Sequence, residues 1–299
     1  MRILIFGRTG QVARALGAIQ WPDGWIVAAF GRDRCNLAVS GAAAAAIRDF
    51  DPAIVVNAAA YTAVDRAEAD RPAAFAVNES AVREMAAATA ERGRTLIHLS
   101  TDYVFDGRAA APYVESDRCN PLSVYGASKL AGEIAIRELQ PRHIILRTSW
   151  VFSPHGSNFV RTMLRLGAER DEVRIVGDQR GGPTEADDIA HAIAAITQGL
   201  AAGSTAFGAY HFAGTPAVSW YEFALAIFNR AAARGARVPG MITQIGVGDY
   251  PTAALRPANS RLNCDAVARD WGLTQPSWEA ALDRCLDAML QTRDRSVAA

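Results

Sequence analysis

One lysine stands among the 31 basic side chains of this 299-residue chain. It is Lys129, four residues after Tyr125. On a helix that spacing puts a phenol and an ammonium on one face, one turn apart. A compact ammonium differs from a guanidinium in shape, hydration and its ability to lose a proton. A lysine in so arginine-rich a chain marks either a place where those differences count or a chance survivor of arginine-biased usage. Twenty-four residues before Tyr125 the run Ser100-Thr101-Asp102 closes a β-type segment. Ser-Thr-Asp on its own also suits a turn or a cap. Combined with the later pair, it supplies a hydroxyl for a substrate carbonyl, with Asp102 beside it. Thr101, Tyr125 and Lys129 together are a kit for placing a proton on a carbonyl oxygen.

The elements that must position these groups follow a repeating pattern. Apolar runs at 2–6, 25–30, 53–57, 94–99 and 143–148 read as strands, and helical stretches fall between them at about 10–19, 39–50, 67–91 and 123–139. Strands alternating with helices predict an α/β fold, a Rossmann-type doubly wound parallel sheet covered on both faces. In such sheets ligands bind beyond the carboxyl ends of the strands, and each distinctive motif falls at one of those ends.

After the first strand comes Gly7-Arg8-Thr9-Gly10-Gln11-Val12. Gly7 permits the tight turn, and Gly10 lets the backbone N–H groups of Gln11 and Val12 approach a pyrophosphate at a helix N-terminus. The second strand ends Phe30-Gly31-Arg32-Asp33-Arg34, where an NAD site usually places an acid on the ribose. Arg32 and Arg34 there suit a 2′-phosphate, which favours NADPH, although Asp33 leaves NADH open. Asn36 and Leu37 are placed to flank an adenine or to cap the next helix. Ala58, Ala59 and Ala60 leave the end of the third strand bare, so that a cofactor can lie against it.

After residue 150 the pattern loosens into helices at about 157–170, 185–199, 219–235 and 277–291, with short strands near 173–176 and 209–213. The expected organisation is a dinucleotide-binding domain over 1–150 with a returning segment at about 177–205. A smaller, mixed substrate-binding domain is expected over 151–176 and 206–299.

Composition excludes several classes. Formal net charge is zero, which gives no broad surface for nucleic acid or anionic lipid. The four cysteines have neither disulfide-framework nor zinc spacing, and the histidines show no metal pattern, so no metal ligands are assigned. An apolar strand two residues after Met1 leaves no room for a signal peptide, and no run is long enough to span a bilayer. A soluble, cytoplasmic protein is expected.

The motifs together resemble the extended short-chain dehydrogenase/reductase superfamily and, within it, the dTDP-4-dehydrorhamnose reductase family. The resemblance runs from Ile3 to Val12, Val56 to Asp65, Ser100 to Phe105 and Pro121 to Gly132. It continues through Arg147-Thr148-Ser149-Trp150-Val151, Gly182-Pro183-Thr184 and Arg256-Pro257-Ala258-Asn259-Ser260-Arg261-Leu262. It implies NAD(P)H-dependent reduction of the C4 keto group of a dTDP-sugar, dTDP-4-dehydro-β-L-rhamnose. In that reaction Tyr125 is the general acid, its phenol made more acidic by nearby positive charge. Lys129 supplies charge and holds the nicotinamide ribose, and Thr101 polarises the carbonyl. By the same resemblance Trp150 stacks near the sugar, while Asn158, Arg256 and Asn259 contact the diphosphate and its loops. Arg256 is the expected diphosphate clamp, with an interdomain salt bridge as its other reading. Some relatives form Mg²⁺-bridged dimers through glutamates, one of them on the first helix. Gln11 to Ala15 carries no carboxylate, so this sequence gives Mg²⁺ no support there and leaves monomer and homodimer both open. Two other readings share many of these features: a different nucleotide-sugar 4-keto reductase or epimerase, and a non-catalytic dinucleotide-binding regulatory subunit.

Overall fold

Ile3-Leu4-Ile5-Phe6 is apolar on both sides of an extended chain, as a strand buried on both faces must be. In a computed structural model describing residues 1–297, β1 (Arg2–Phe6) lies inside the main sheet, and these four residues are wholly buried. The cofactor half continues with α1 (Gln11–Ala18), β2 (Ile26–Phe30), α2 (Ala42–Phe50), β3 (Ile54–Asn57), α3 (Val64–Ala69), α4 (Arg71–Phe75), a π-helical turn at Ala76–Ser80 and α5 (Ala81–Glu91). Next come β4 (Thr95–Thr101), α6 (Val124–Leu139) and β5 (His143–Thr148). The remainder is β6 (Val151–Phe152), α7 (Phe159–Glu169), β7 (Glu172–Val176), β8 (Arg180–Gly181), β9 (Thr184–Glu185), α8 (Ala186–Ala201), β10 (Gly208–His211), β11 (Val218–Ser219), α9 (Trp220–Ala232), β12 (Met241–Ile245), β13 (Asn259–Ser260), α10 (Asp265–Trp271) and α11 (Trp278–Val297).

The main sheet is parallel throughout, in the order β10-β5-β4-β3-β1-β2. Strand order reverses at β1, which pairs β2 on one side and β3 on the other. That reversal opens the crevice in which doubly wound sheets bind ligands. Alternate residues of β1 feed two cores. Ile3 and Ile5 pack with Val12, Leu16, Ile189 and Ile193 of α1 and α8. Leu4 and Phe6 pack with Ile47, Val82, Met85 and Ile136 of α2, α5 and α6. A third core joins α7, α9 and α11 through Val160, Met163, Leu164, Phe223, Ile227, Leu282 and Leu286. Their spacings of three and four residues put each set on one helical face. Among the described residues, no helix is long and apolar enough to cross a membrane.

Two expectations change. The helix expected over 67–91 is interrupted, because Pro72 at the start of α4 has no N–H to continue the helix from α3. The π-helical turn that follows turns Asn78 inward, where it bridges Tyr61 to Ser128 of α6. The strand that returns to the main sheet is β10, at 208–211, which the boundary at 205 had placed in the second unit. Between 177 and 205 the chain instead supplies α8, which packs on α1.

Candidate active site

The cavity at the strand reversal has a volume of about 510 Å³. Every residue assigned from sequence to the cofactor lines it: Gly7, Thr9, Gly10, Gln11, Val12, Arg32, Asn36, Leu37, Ala58, Ala59, Ala60, Tyr125 and Lys129. Gly7 has φ +102°, and a Cβ there would press on the Ala58 carbonyl at 3.2 Å, so glycine lets β1 and β3 close at this corner. No side chain caps α1 and no acid sits in its first turn. Its N–H groups thus face the cavity as an uncommitted anion site.

At the end of β2, Asp33 is already engaged, its Oδ2 3.2 Å from Nη2 of Arg8. The guanidinium of Arg34 lies over the Phe30 ring. Arg32 is exposed and lines the cavity. The acid that would grip a ribose diol is therefore neutralised, while a guanidinium faces the space beside it. This donor set fits a 2′-phosphate. Arg8 was not singled out from sequence, although it lies inside the Gly7–Gly10 turn.

Tyr125 and Lys129 are carried by α6. Ser123 caps that helix by accepting from the Gly126 N–H, and Glu68 accepts from Val124 N–H at 2.8 Å. A Cβ at Gly126 would collide with the Tyr103 carbonyl, so glycine lets α6 approach the turn after β4. Tyr125 and Tyr103 consequently meet edge to face, with centroids 5.6 Å apart. Thr101 ends β4, and its hydroxyl donates to Asp102 Oδ1 at 2.9 Å. Burial pushes the Tyr125 phenol up to about 12, and a hydrogen bond with Thr101 opposes this. The lowering expected from Lys129 does not appear: loss of solvent dominates, and the charge that acts on the phenol is Asp102, which raises it further. The phenol therefore holds its proton, as a donor must.

Lys129 is 2% exposed. Its Nζ lies 2.7 Å from the Leu99 carbonyl and 3.0 Å from His98 Nε2. Burial pushes its ammonium down to about 8, with Glu133 opposing. Burial raises Asp102 to about 6 against hydrogen bonds from Ser260 and Thr101.

The residues expected to bind substrate are more scattered, and of them only Tyr125 lines the cavity. Arg256 is engaged by Asp65 through both terminal guanidinium nitrogens, the interdomain alternative rather than a free clamp. Asn259 donates to the carbonyls of Ala109 and Ala111, and its Oδ1 accepts twice from Arg261. That leaves no free side-chain donor for substrate, so its expected contact is replaced by loop anchoring. Asn158 caps α7 and donates to Gln11 Oε1 at 2.9 Å, an oxygen that Ser153 also uses. Its amide thus ties the 153–158 loop to α1, placing Gly156 and Ser157 on the cavity wall. One ring face of Trp150 is covered by Trp220 at a centroid distance of 3.4 Å, so that face is closed to a sugar.

A parallel sheet reversing at β1, a glycine turn onto an uncapped helix, and a Thr/Tyr/Lys set at the same crevice define a nicotinamide-dependent oxidoreductase of the short-chain dehydrogenase/reductase type. Comparison with known proteins agrees with that class. The family described as RmlD substrate binding domain matches residues 1–291, and the chain belongs to it. A dTDP-4-dehydrorhamnose reductase from Sinorhizobium fredii is 45% identical over 295 residues, covering 97% of this chain and 98% of that one. The crystal structure of a dTDP-4-dehydrorhamnose reductase from Clostridium acetobutylicum superposes with a TM-score of 0.89 at 32% identity, covering 97% of this chain and 99% of that one. The Bacillus anthracis reductase, solved in complex with NADP, gives 0.86 at 33% identity over 95% and 98% of the two chains.

Proposed function

We propose that this chain reduces the C4 keto group of dTDP-4-dehydro-β-L-rhamnose, giving dTDP-β-L-rhamnose at the expense of NADPH. The observation that carries the reading is the meeting of the cofactor-lining residues with Tyr125 and Lys129 in one cavity, in a chain alike to such reductases along nearly its whole length. The residues present fit NADPH. The first turn of α1 takes the pyrophosphate, Arg32 the 2′-phosphate, and Asn36 with Leu37 the adenine end. Ala58 to Ala60 form a bare wall, and Lys129 takes the nicotinamide ribose. When bound, NADPH supplies hydride to the carbonyl carbon. Tyr125 gives its proton to the carbonyl oxygen as negative charge grows there, completing the secondary alcohol. Such acid assistance is worth roughly 10²–10⁴-fold in rate. Thr101 orients the carbonyl from the end of β4.

NADH serves as a poorer reductant, since Asp33 is tied to Arg8. The carboxylates at the start of α8, Glu185 and Asp188, are paired with Arg284, which leaves structural Mg²⁺ without support there as on the first helix. The reaction is placed in the cytoplasm, by a monomer or a homodimer. The 1–150 region, with α8 and β10, forms the cofactor half, and most of the remainder binds substrate.

The test is absorbance at 340 nm with purified protein, NADPH and enzymatically generated dTDP-4-dehydro-L-rhamnose. Oxidation with formation of dTDP-L-rhamnose is expected. NADPH binding without oxidation would overturn the reading in favour of another 4-keto sugar or a non-catalytic role.

A further inference from the structure

Behind Lys129 a row of buried polar groups has a direction fixed at one end. The backbone N–H of Ala59 can only donate, and it lies 3.1 Å from an Asn57 side-chain atom, which must therefore be the amide oxygen. The other amide atom is then nitrogen, and it lies 3.0 Å from His98 Nδ1. A nitrogen donating there makes Nδ1 the acceptor, so the proton of a neutral imidazole sits on Nε2. Nε2 in turn is 3.0 Å from Lys129 Nζ. Asn57 and His98 have no exposed surface, so water cannot correct a mismatch.

We infer that Asn57 and His98 are positioning residues that set the charge state of Lys129, through a hydrogen-bond chain whose polarity is anchored at the Ala59 N–H. With Lys129 as a neutral amine every bond is satisfied: Ala59 to Asn57, Asn57 to His98, His98 to Lys129. With Lys129 as an ammonium, both it and His98 Nε2 would be donors. The imidazole proton must then sit on Nδ1, and the Asn57 amide must turn over to receive it. That turn costs the Ala59 bond. The two states differ by one proton exchanged with solvent through the cavity. The imidazole is neutral in both and changes only which nitrogen carries its proton.

Other charges near Lys129 do not account for this coupling. On its own helix, Glu133 favours the ammonium but is neutralised by Arg147 of β5 and by Arg137. From the π-helical turn, uncharged Asn78 meets α6 at Ser128 rather than Lys129, and Glu79 pairs with Arg83. Glu68 of α3 is held by the Val124 N–H, and Asp102 acts on Tyr125. Burial keeps His98 well below the usual imidazole range, with the Lys129 charge adding to the effect. The ring therefore stays neutral through the pH range in which Lys129 titrates.

The role in turnover rests on the reductase reading, but the coupling itself can be tested in the free protein. Imidazole ¹⁵N NMR, with the His98 signal identified by its loss in His98→Gln, reads the tautomer directly. Wild type is expected to pass from Nδ1–H to Nε2–H as pH rises, with a midpoint near the Lys129 value of about 8 and without a charged imidazole. A tautomer that stays fixed across that range overturns the inference. Asn57→Asp supplies a carboxylate that accepts from both Ala59 N–H and His98 Nδ1–H, removing the conflict. His98 should then remain Nδ1–H. The alkaline limb of NADPH oxidation should rise by about one pH unit or more, the equivalent of a recovered buried hydrogen bond plus a nearby negative charge. A limb that does not move, or a rate lowered equally at all pH, assigns Asn57 a structural role only and overturns the inference. If no sugar substrate turns over, the NMR titration still decides the matter.

Discussion

Arg256 closes on Asp65 across 191 residues of chain, with Nη2 2.6 Å from Oδ2 and Nη1 3.1 Å from Oδ1. The Asp65 carboxyl is held below its usual range by that hydrogen bond first and by the nearby charge. Asp65 also receives the Ala254 N–H, so α3 is pinned to the segment leading into β13.

A latch and a phosphate clamp make different predictions. If Arg256 is a latch, Arg256→Ala, Asp65→Ala and the double variant should share one KM for the dTDP-sugar. Their stabilities should show a coupling of about 0.5–1 kcal/mol, usual for a half-exposed pair. A KM raised at least tenfold in Arg256→Ala alone would return the guanidinium to the diphosphate.

Tyr125→Phe should lower kcat by roughly 10²–10⁴-fold while leaving the NADPH Kd within about twofold. The ring keeps its packing against Tyr103, and only the transferable proton is lost. Stopped-flow absorbance with fluorescence titration of NADPH separates the two quantities, and near-normal turnover would exclude Tyr125 as the acid.

Arg32→Ala should raise KM for NADPH about tenfold or more and leave KM for NADH nearly unchanged. The reason is geometric: the neighbouring Asp33 is occupied by Arg8, so Arg32 is the cation left to meet a 2′-phosphate. Steady-state kinetics with both cofactors checks this, and equal effects on the two would remove the assignment.

Asp102 governs the direction of the Thr101 hydroxyl. Above about pH 6 the ionised carboxylate accepts the Thr101 proton, and as pH falls through that value the carboxyl becomes protonated and releases it. The hydroxyl can then donate into the crevice, so kcat/KM for reduction should rise as pH is lowered through about 6. Asp102→Asn should flatten this inflection in a pH–rate profile between 5 and 8.

Glu133 and Arg147 form a buried pair at 2.7 Å, and Ser100 donates to the same carboxylate at 2.6 Å. Burial alone would raise Glu133, but the hydrogen bonds and charge of Arg147 outweigh it and hold the carboxyl below 4.5. Its stabilising contribution is therefore present above about 4.5 and lost as pH falls through the lower folded value. Arg147→Met leaves the buried Glu133 carboxylate with only the part-exposed Arg137 and the Ser100 hydroxyl, and should cost about 3 kcal/mol in urea unfolding at pH 7, the low end for a broken buried pair.

The cofactor half was legible because its signals are local. Gly7 to Val12, Arg32 and Ala58 to Ala60 each sit within a few residues of a strand end, and the parallel order brings those ends together. The substrate side depends on pairs that sequence spacing does not reveal. Asn158 and Asn259 look like ligand contacts until Gln11, 147 residues away, and Ala109, 150 away, claim their amides. Pro72 was a visible break within 67–91, and the helical pattern around it masked its effect. Asn57 and His98 lay inside recognised stretches, yet their meaning requires the register that sets β3 beside β4.

Lys129 is the chain's one lysine and is almost wholly enclosed. Apart from the N-terminal amine, the folded protein therefore offers acylating reagents a single amine, and a lysine-specific endoprotease a single bond in the middle of α6. Cutting at that point can occur only after the helix opens, and labelling only by a reagent that reaches the amine through the cavity. A two-fragment cleavage pattern thus becomes a clock for that opening, and occupancy of the cavity should slow it without any engineered probe.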